Sequence, residues 1–187
     1  MKLKYILFGV TLAGLITSCD VTDKSPIDSF TDKSYWTKVS DLEYYTTGLY
    51  DKLDKPSVTK DNTSDNCVVT NPDSYLFNEK VIPATTKDTE WNWSQIRACN
   101  FFMQRYGSVV GTEAEINPYV AEVRFFRALD YFAKIKAYGD VPWFEKDLQT
   151  SDTEELYKKR DPRDFVLGKI IEDLEFAIQW LPDYGQA

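Results

Sequence analysis

The sequence of 187 residues predicts a mostly all-α fold, made of helical hairpins joined by long irregular loops. Four segments carry apolar residues three and four positions apart, the spacing that places them on one face of an α-helix. Each segment also carries residues typical of a helix start or stop. A short loop separates the second and third helices, so we expect an antiparallel hairpin with apolar outer faces, the unit of a helical solenoid.

The first helix is expected over residues 41–53. Ser40 and Glu43, in the stretch "SDLE", have the spacing of a capping box, in which two side chains satisfy free N–H groups at the helix start. The apolar residues that follow recur at helical spacing: Leu42, Tyr45, Leu49 and Leu53.

The second helix is expected over "TEWNWSQIRACNFFMQRYG", with Asp88 or Thr89 as N-cap and Gly107 as the stop. One face carries Trp93, Ile96, Asn100 and Met103. Because Asn100 lies on this otherwise apolar face, we expect its amide to be buried and to satisfy the backbone of a loop.

The third helix is expected from Asn117 as N-cap, with Pro118 in the first position, to Gly139, whose left-handed backbone would end it. Its apolar arc is wide enough to contact two or more neighbouring elements. The charged side carries residues that we interpret as structural, the last two as an i, i+4 ion pair: Arg124, Arg127, Asp130 and Lys134.

The fourth helix repeats this start, with Asp161 as N-cap and Pro162 first, and ends before Pro182. Irregular segments are expected at residues 55–87 and 140–160, the latter with a short helical turn at "TEELYK". Asp140 is expected to shape its own turn.

The composition of the chain argues against several classes of function. A net charge of −8 argues against binding nucleic acid, which needs a basic surface. The chain contains no histidine, the usual general base and the commonest transition-metal ligand. It also has no glycine-rich phosphate loop, so neither a cofactor nor a metal is predicted. The many aromatic residues fit either ligand recognition or an aromatic-rich core.

Residues 1–18 have the layout of a secretory signal peptide, with a basic start, an apolar run and small polar residues. Their end, "LITSC", resembles the lipobox of bacterial lipoproteins, which implies that Cys19 is diacylated and becomes the N-terminus. Residues 19–33 form an acidic tether in this interpretation. Asp20 and Asp23 resemble the surface-export signal of Bacteroidetes lipoproteins, although a solvated tether explains them equally well.

Two further cysteines, Cys67 and Cys99, would lie in an oxidising compartment, where a disulfide is permitted. Cys99 falls inside the second helix, where a small buried thiol is the commoner outcome. We therefore favour two free thiols over a disulfide.

Three long stretches resemble the SusD/RagB family of outer-membrane nutrient-binding lipoproteins: "WNWSQIRACNFFMQ", "AEVRFFRALDYFAKIKAYGDVPWF" and "DPRDFVLGKIIEDLEFAIQWLP". The family's motif positions are matched by Trp93, Ile96, Cys99, Asn100, Ala121, Glu122, Arg124, Phe125, Arg127, Ala128, residues 138–142, Pro162 and Arg163. The resemblance implies a SusD-like fold with tetratricopeptide-like helical hairpins. Since family members are usually more than twice as long, residues 34–187 are expected to be the N-terminal part of such a domain.

The resemblance also implies a function without catalysis. SusD-like proteins are lipid-anchored at the cell surface of the outer membrane, cover a SusC-type TonB-dependent transporter and bind oligosaccharides or, in the RagB type, peptides. A helical adaptor and a glycoside hydrolase, which needs only two carboxylates, are the less favoured alternatives. Ligand contacts are expected in residues 55–91, where aromatic rings stand beside planar polar groups: Asn71, Asp73, Tyr75, Phe77 and Trp91. The competing interpretation is that these aromatic rings fold their own loop onto the core.

Overall fold

The structure, a computed structural model, describes residues 35–53, 70 and 91–183. Within these ranges the helices are α1 (Val39–Thr47), α2 (Ser94–Met103), α3 (Glu113–Tyr138), α4 (Thr153–Leu156) and α5 (Arg163–Trp180). Short 3-10 turns follow α1 and α2, at Tyr50–Lys52 and Tyr106–Ser108. The described residues contain no β-strand and only two isolated bridges, Lys38 with Val110 and Val141 with Asp161. The predicted mostly all-α fold class is confirmed.

Helix α3 is the centre of the fold, because it packs against α1, α2 and α5. All contacts described here lie within one of the two units into which the chain divides, Trp36–Ala187. The main core cluster draws on four elements: Ile96, Ala128, Tyr131, Ile135, Val141, Trp143, Val166 and Ile170. The apolar arc predicted for α3 does contact several neighbours, yet Phe125, Leu129 and Phe132 remain exposed. None of the described helices is long and apolar enough to cross a membrane.

The predicted cap of α1 is wrong by about two residues. The acceptor is Asp41, whose Oδ2 accepts hydrogen bonds from the backbone N–H groups of Thr37 and Lys38 at 3.1 and 3.0 Å. Ser40 lies inside the helix instead of capping it. The Asp41 carboxylate is favoured over the Ser40 hydroxyl because it satisfies two free N–H groups at once. Burial raises the pKa of Asp41, but these hydrogen bonds more than offset it and the pKa is lowered overall.

Helix α2 is shorter than predicted and starts at Ser94, whose N–H donates to Asn92 Oδ1 at 2.9 Å. The alternative caps, Asp88 and Thr89, lie outside the described residues. Gly107 does not stop the helix, which ends at Met103, and instead lies in the following 3-10 turn.

Helix α3 begins five residues earlier than predicted, with Thr112 instead of Asn117 as its N-cap. Glu115 Oε2 accepts hydrogen bonds from the backbone N–H and the hydroxyl of Thr112, at 2.9 and 2.8 Å, which forms the capping box. Pro118 therefore lies inside the helix. Its missing N–H leaves the carbonyl of Ala114 without a helical partner, which is tolerated because this first turn is exposed to water.

The end of α3 is as predicted, since Gly139 follows the last helical residue with a positive φ of 73°. The predicted start of α5 is wrong by one residue, because Pro162 is the N-cap and the helix begins at Arg163. The two aspartates near this start also have roles that differ from the prediction. Asp140 Oδ1, rather than Asp161, accepts the N–H of Arg163 at 2.9 Å. Asp161 Oδ2 accepts the N–H of Trp143 at 2.7 Å. The two acids thus fasten the chain after α3 to the start of α5, and the short helix α4 lies at the predicted "TEELYK".

Cys99 is a free thiol that is completely buried in the core. Burial is the main reason that its pKa is raised to about 12; the nearby carboxylates of Asp130 and Asp173 contribute to this rise, and the charge of Arg127 opposes it. The predicted free thiol at this position is confirmed, whereas Cys67 lies outside the described residues.

Candidate ligand-binding cleft

Residues 142–148, which we name the dividing segment, separate two cavities on the surface of the helical core. The side chains of Pro142 and Phe144 line one cavity, and those of Trp143 and Glu145 line the other. Lys146 and Leu148 line both. The alternation arises because the backbone runs between the cavities, so that successive side chains point to opposite sides.

The first cavity, which we name the aromatic cleft, lies between the start of α2 and the dividing segment and has a volume of about 370 Å³. Its lining is Trp91, Trp93, Ile96, Arg97, Asn100, Pro142, Phe144, Lys146, Leu148, Gln149, Thr150 and Leu156. This volume is in the range of small-molecule sites, which combine an apolar wall with a few polar groups that fix orientation.

Three aromatic rings form the apolar wall of the aromatic cleft. Trp93 meets Trp91 edge to face at a centroid distance of 5.1 Å and meets Phe144 in the same manner at 5.2 Å. Trp91 also packs edge to face on Tyr138 at 4.8 Å, and the guanidinium of Arg160 lies 4.8 Å from its ring centroid. These contacts fix the rings, so the wall is formed before any ligand arrives.

The second cavity, which we name the acidic cleft, has a volume of about 720 Å³ and lies between the dividing segment, α4 and the start of α5. Its lining is Trp143, Glu145, Lys146, Leu148, Ser151, Asp152, Thr153, Glu154, Glu155, Lys158, Asp161 and Phe165. One of the two lysines, Lys158, is engaged by Glu155 at 2.8 Å and by Asp161 at 3.6 Å. With five carboxylates in the lining, this cavity disfavours anionic ligands.

Side chains from several elements hold the backbone of the dividing segment. The N–H of Phe144 donates to Tyr131 Oη on α3 at 2.7 Å. Asn100 Nδ2 on α2 donates to the carbonyl of Phe144 at 2.7 Å and to that of Lys146 at 3.3 Å. Lys158 donates to the carbonyl of Trp143, whose own N–H is held by Asp161 as described above. Asn100 therefore satisfies a loop backbone, as the sequence predicted.

Asn100 is itself held by a buried ion pair. Arg127 Nη1 donates to Asn100 Oδ1 at 3.1 Å, and Arg127 Nε and Nη2 donate to the two oxygens of Asp173 on α5 at 2.7 and 2.8 Å. Burial works against the charge of Arg127, but the hydrogen bonds and charge of Asp173 outweigh it and raise the pKa of Arg127. The structural role predicted for Arg127 is confirmed, and Lys134 lies 3.4 Å from Asp130 in the predicted ion pair.

Of the predicted ligand contacts, Trp91 lines the aromatic cleft. Asn71, Asp73, Tyr75 and Phe77 lie outside the described residues, so the binding role of all five stays a prediction. Sequence reasoning missed the contribution of Phe144 and of the residues after it. The signal available was the run "VPWF", in which bulky apolar side chains continue after a helix stop.

The described residues thus form a helical core that carries a rigid aromatic cleft of the size of a small-molecule site. No family model matches the chain. The chain is similar to two curated proteins of Formosa agariphila: SusD-like protein P2, at 24% identity over 97% of this chain, and SusD-like protein P38, at 28% identity over 88%. It spans only 38% and 34% of the lengths of these relatives.

Two solved structures from Bacteroides fragilis share the fold. A SusD-like protein matches 87% of this chain with a TM-score of 0.72 and 28% identity, over 34% of its own length. A SusD-like carbohydrate binding protein matches 81% of this chain with a TM-score of 0.63 and 20% identity, over 33% of its own length. The predicted resemblance to SusD-like proteins is confirmed.

Proposed function

We propose that the whole protein binds oligosaccharides without cleaving them and delivers them to a SusC-type TonB-dependent transporter. The observation that supports this proposal most is the aromatic cleft, in a chain similar to SusD-like proteins. One of the structures with the same fold is a SusD-like carbohydrate binding protein, which agrees with a sugar ligand.

The chemistry of the aromatic cleft suits a sugar. A pyranose ring presents C–H groups on its faces, which pack on aromatic rings such as Trp91, Trp93 and Phe144, and hydroxyls on its edge, which need planar or charged hydrogen-bonding partners. Arg97 and Gln149 are exposed side chains in the lining of the cleft. Arg97 Nε and Gln149 Nε2 donate to Asp147, and the other guanidinium nitrogens of Arg97 and Oε1 of Gln149 offer such partners. Because the rings are already fixed, little conformational entropy is lost when the sugar binds.

The proposal includes a location at the cell surface. Cys19 would carry the lipid that anchors the protein in the outer membrane, since the stretch "LITSC" resembles a lipobox. Asp20 and Asp23 would then direct surface export. Held beside its transporter, the protein would work with modest intrinsic affinity, because tethering raises the effective concentration of the ligand at the transporter entrance.

Calorimetry of the full-length protein against a panel of neutral and acidic oligosaccharides tests this proposal. We expect at least one neutral oligosaccharide to bind without release of shorter products. Trp91→Ala should lower its affinity by roughly fivefold or more, since removal of a central aromatic contact typically costs more than about 1 kcal/mol. Tyr44→Ala is the matched control, because Tyr44 is 74% exposed on α1 and lines neither cavity.

Three other outcomes would contradict parts of this proposal. Accumulation of shorter sugars in the calorimeter cell would show that the protein is an enzyme. Binding of peptides but of no oligosaccharide would contradict the ligand class and leave the fold unchanged. Unchanged affinity in Trp91→Ala would show that the sugar binds outside the aromatic cleft.

A further inference from the structure

A buried polar chain runs from α5 through α3 and α2 to the backbone of the dividing segment. It consists of Asp173, Arg127 and Asn100, and each link is a hydrogen bond of 3.1 Å or less. All three residues are buried, and Asn100 is fully so, with no exposed surface. Such a chain is costly to bury unless every group is satisfied, and here the carboxylate, the guanidinium and the amide are matched to one another.

This series of hydrogen bonds ends at the dividing segment, which forms one wall of the proposed sugar site. Asn100 donates to the carbonyls of Phe144 and Lys146, the residues on either side of Glu145. Phe144 and Lys146 both line the aromatic cleft. An amide with its acceptor occupied by Arg127 presents both of its N–H groups toward these carbonyls, so Arg127 sets the orientation in which Asn100 holds them.

We infer that Asn100 is a positioning residue for ligand binding, oriented by Arg127 and Asp173, and that it sets the distance between Phe144 and the tryptophans of the aromatic cleft. The inference rests on the proposed function. Asn100 borders the aromatic cleft, but its side chain has no solvent-exposed surface and both ends of its amide are engaged by Arg127 and by the backbone, so it acts through the dividing segment. A shift of about 1 Å in a binding wall is enough to lose stacking and hydroxyl contacts together.

Asn100→Asp is the variant that separates positioning from packing. The carboxylate still accepts from Arg127 and has nearly the same volume, but it has no N–H group for the carbonyls of Phe144 and Lys146. The matched control is Asp41→Ala, which removes the hydrogen bonds at the start of α1 and contacts neither cavity.

Two readouts are measured on the full-length protein: hydrogen–deuterium exchange of residues 141–149 without ligand, and affinity for the oligosaccharide found by calorimetry. In Asn100→Asp we expect faster exchange in this segment and an affinity lowered by roughly tenfold, about 1.4 kcal/mol. Asp41→Ala should lose thermal stability but keep wild-type exchange in residues 141–149 and wild-type affinity. Affinity lost equally in both variants would mean that binding follows global stability, which would overturn the inference.

A second variant covers the case in which Asn100→Asp does not fold. The double substitution Arg127→Met with Asp173→Leu replaces the buried ion pair by apolar side chains, a change that proteins often tolerate. We expect the same changes in exchange and affinity at smaller amplitude. Wild-type exchange and affinity in a folded variant would overturn the inference. If the wild type binds no oligosaccharide at all, the proposed function is wrong. The exchange experiment then still decides whether Asp173, Arg127 and Asn100 hold the dividing segment in place.

Discussion

Gly139 allows a test in which backbone strain is separated from packing. It ends α3 with φ at 73°, a conformation that L side chains rarely adopt, and a Cβ added there would meet no atom within 4 Å. A substitution at Gly139 is therefore penalised by the backbone and not by a clash. Gly107 is the matched control, because a Cβ there also meets no atom within 4 Å and its φ is not positive.

The expected magnitudes follow from this difference. Gly107→Ala should be neutral or stabilise the protein by about 0.4–1 kcal/mol, because alanine restricts the unfolded chain. Gly139→Ala should destabilise by roughly 1–3 kcal/mol, the cost of holding a non-glycine residue in a sparsely populated backbone region. Gly139→Val should cost at least as much, since β-branching adds further restriction.

Urea unfolding of the full-length protein measures these changes as shifts of the midpoint at constant m-value. The decisive quantity is the difference in unfolding free energy between Gly139→Ala and Gly107→Ala. A difference near zero would show that the chain after α3 does not need the positive φ.

Two further predictions concern the cysteines. Cys19→Ala should move the protein from the membrane fraction to the soluble fraction while leaving its helical circular dichroism unchanged; a protein that stays with the membrane after a carbonate wash would contradict lipidation at this residue. Cys99 should resist alkylation at pH 8 in the native protein and react once urea unfolds it, because burial raises its pKa to about 12 and keeps the thiol protonated. Mass spectrometry of the peptide that contains Cys99 measures this, and labelling of the native protein at the unfolded rate would show that the thiol is accessible.

The sequence predicted the helices well and their starts less well. Gly139 could be predicted because a positive φ is a local property of one residue. The start of α3 could not, since Asn117 and the Thr112–Glu115 pair both suit a cap, and the choice depends on the path of the preceding chain. The roles of Asp140 and Asp161 differ from the prediction for the same reason, because their carboxylates accept hydrogen bonds from residues 23 and 18 positions away.

The candidate site was predicted only in part for a related reason. Trp91 was singled out from its neighbours in sequence, and it does line the aromatic cleft. The cleft itself depends on Asn100 and Tyr131 meeting the backbone of Phe144, contacts that join residues from 13 to 44 positions apart. No local pattern reports such contacts. The burial of Asn100 was predictable, but which loop it holds was not.

The way in which the dividing segment is anchored has a consequence for how new ligand preferences arise. Asn100, Tyr131 and Asp161 all hold backbone atoms of the segment, so its path does not depend on the side chains of Phe144 and Lys146. Exchange of Phe144 or Lys146 for other residues can therefore alter the chemistry of the cleft while the main chain stays in place. In this respect the segment resembles the hypervariable loop of a recognition scaffold, and a library randomised at these two positions is a rational starting point for selecting altered specificity.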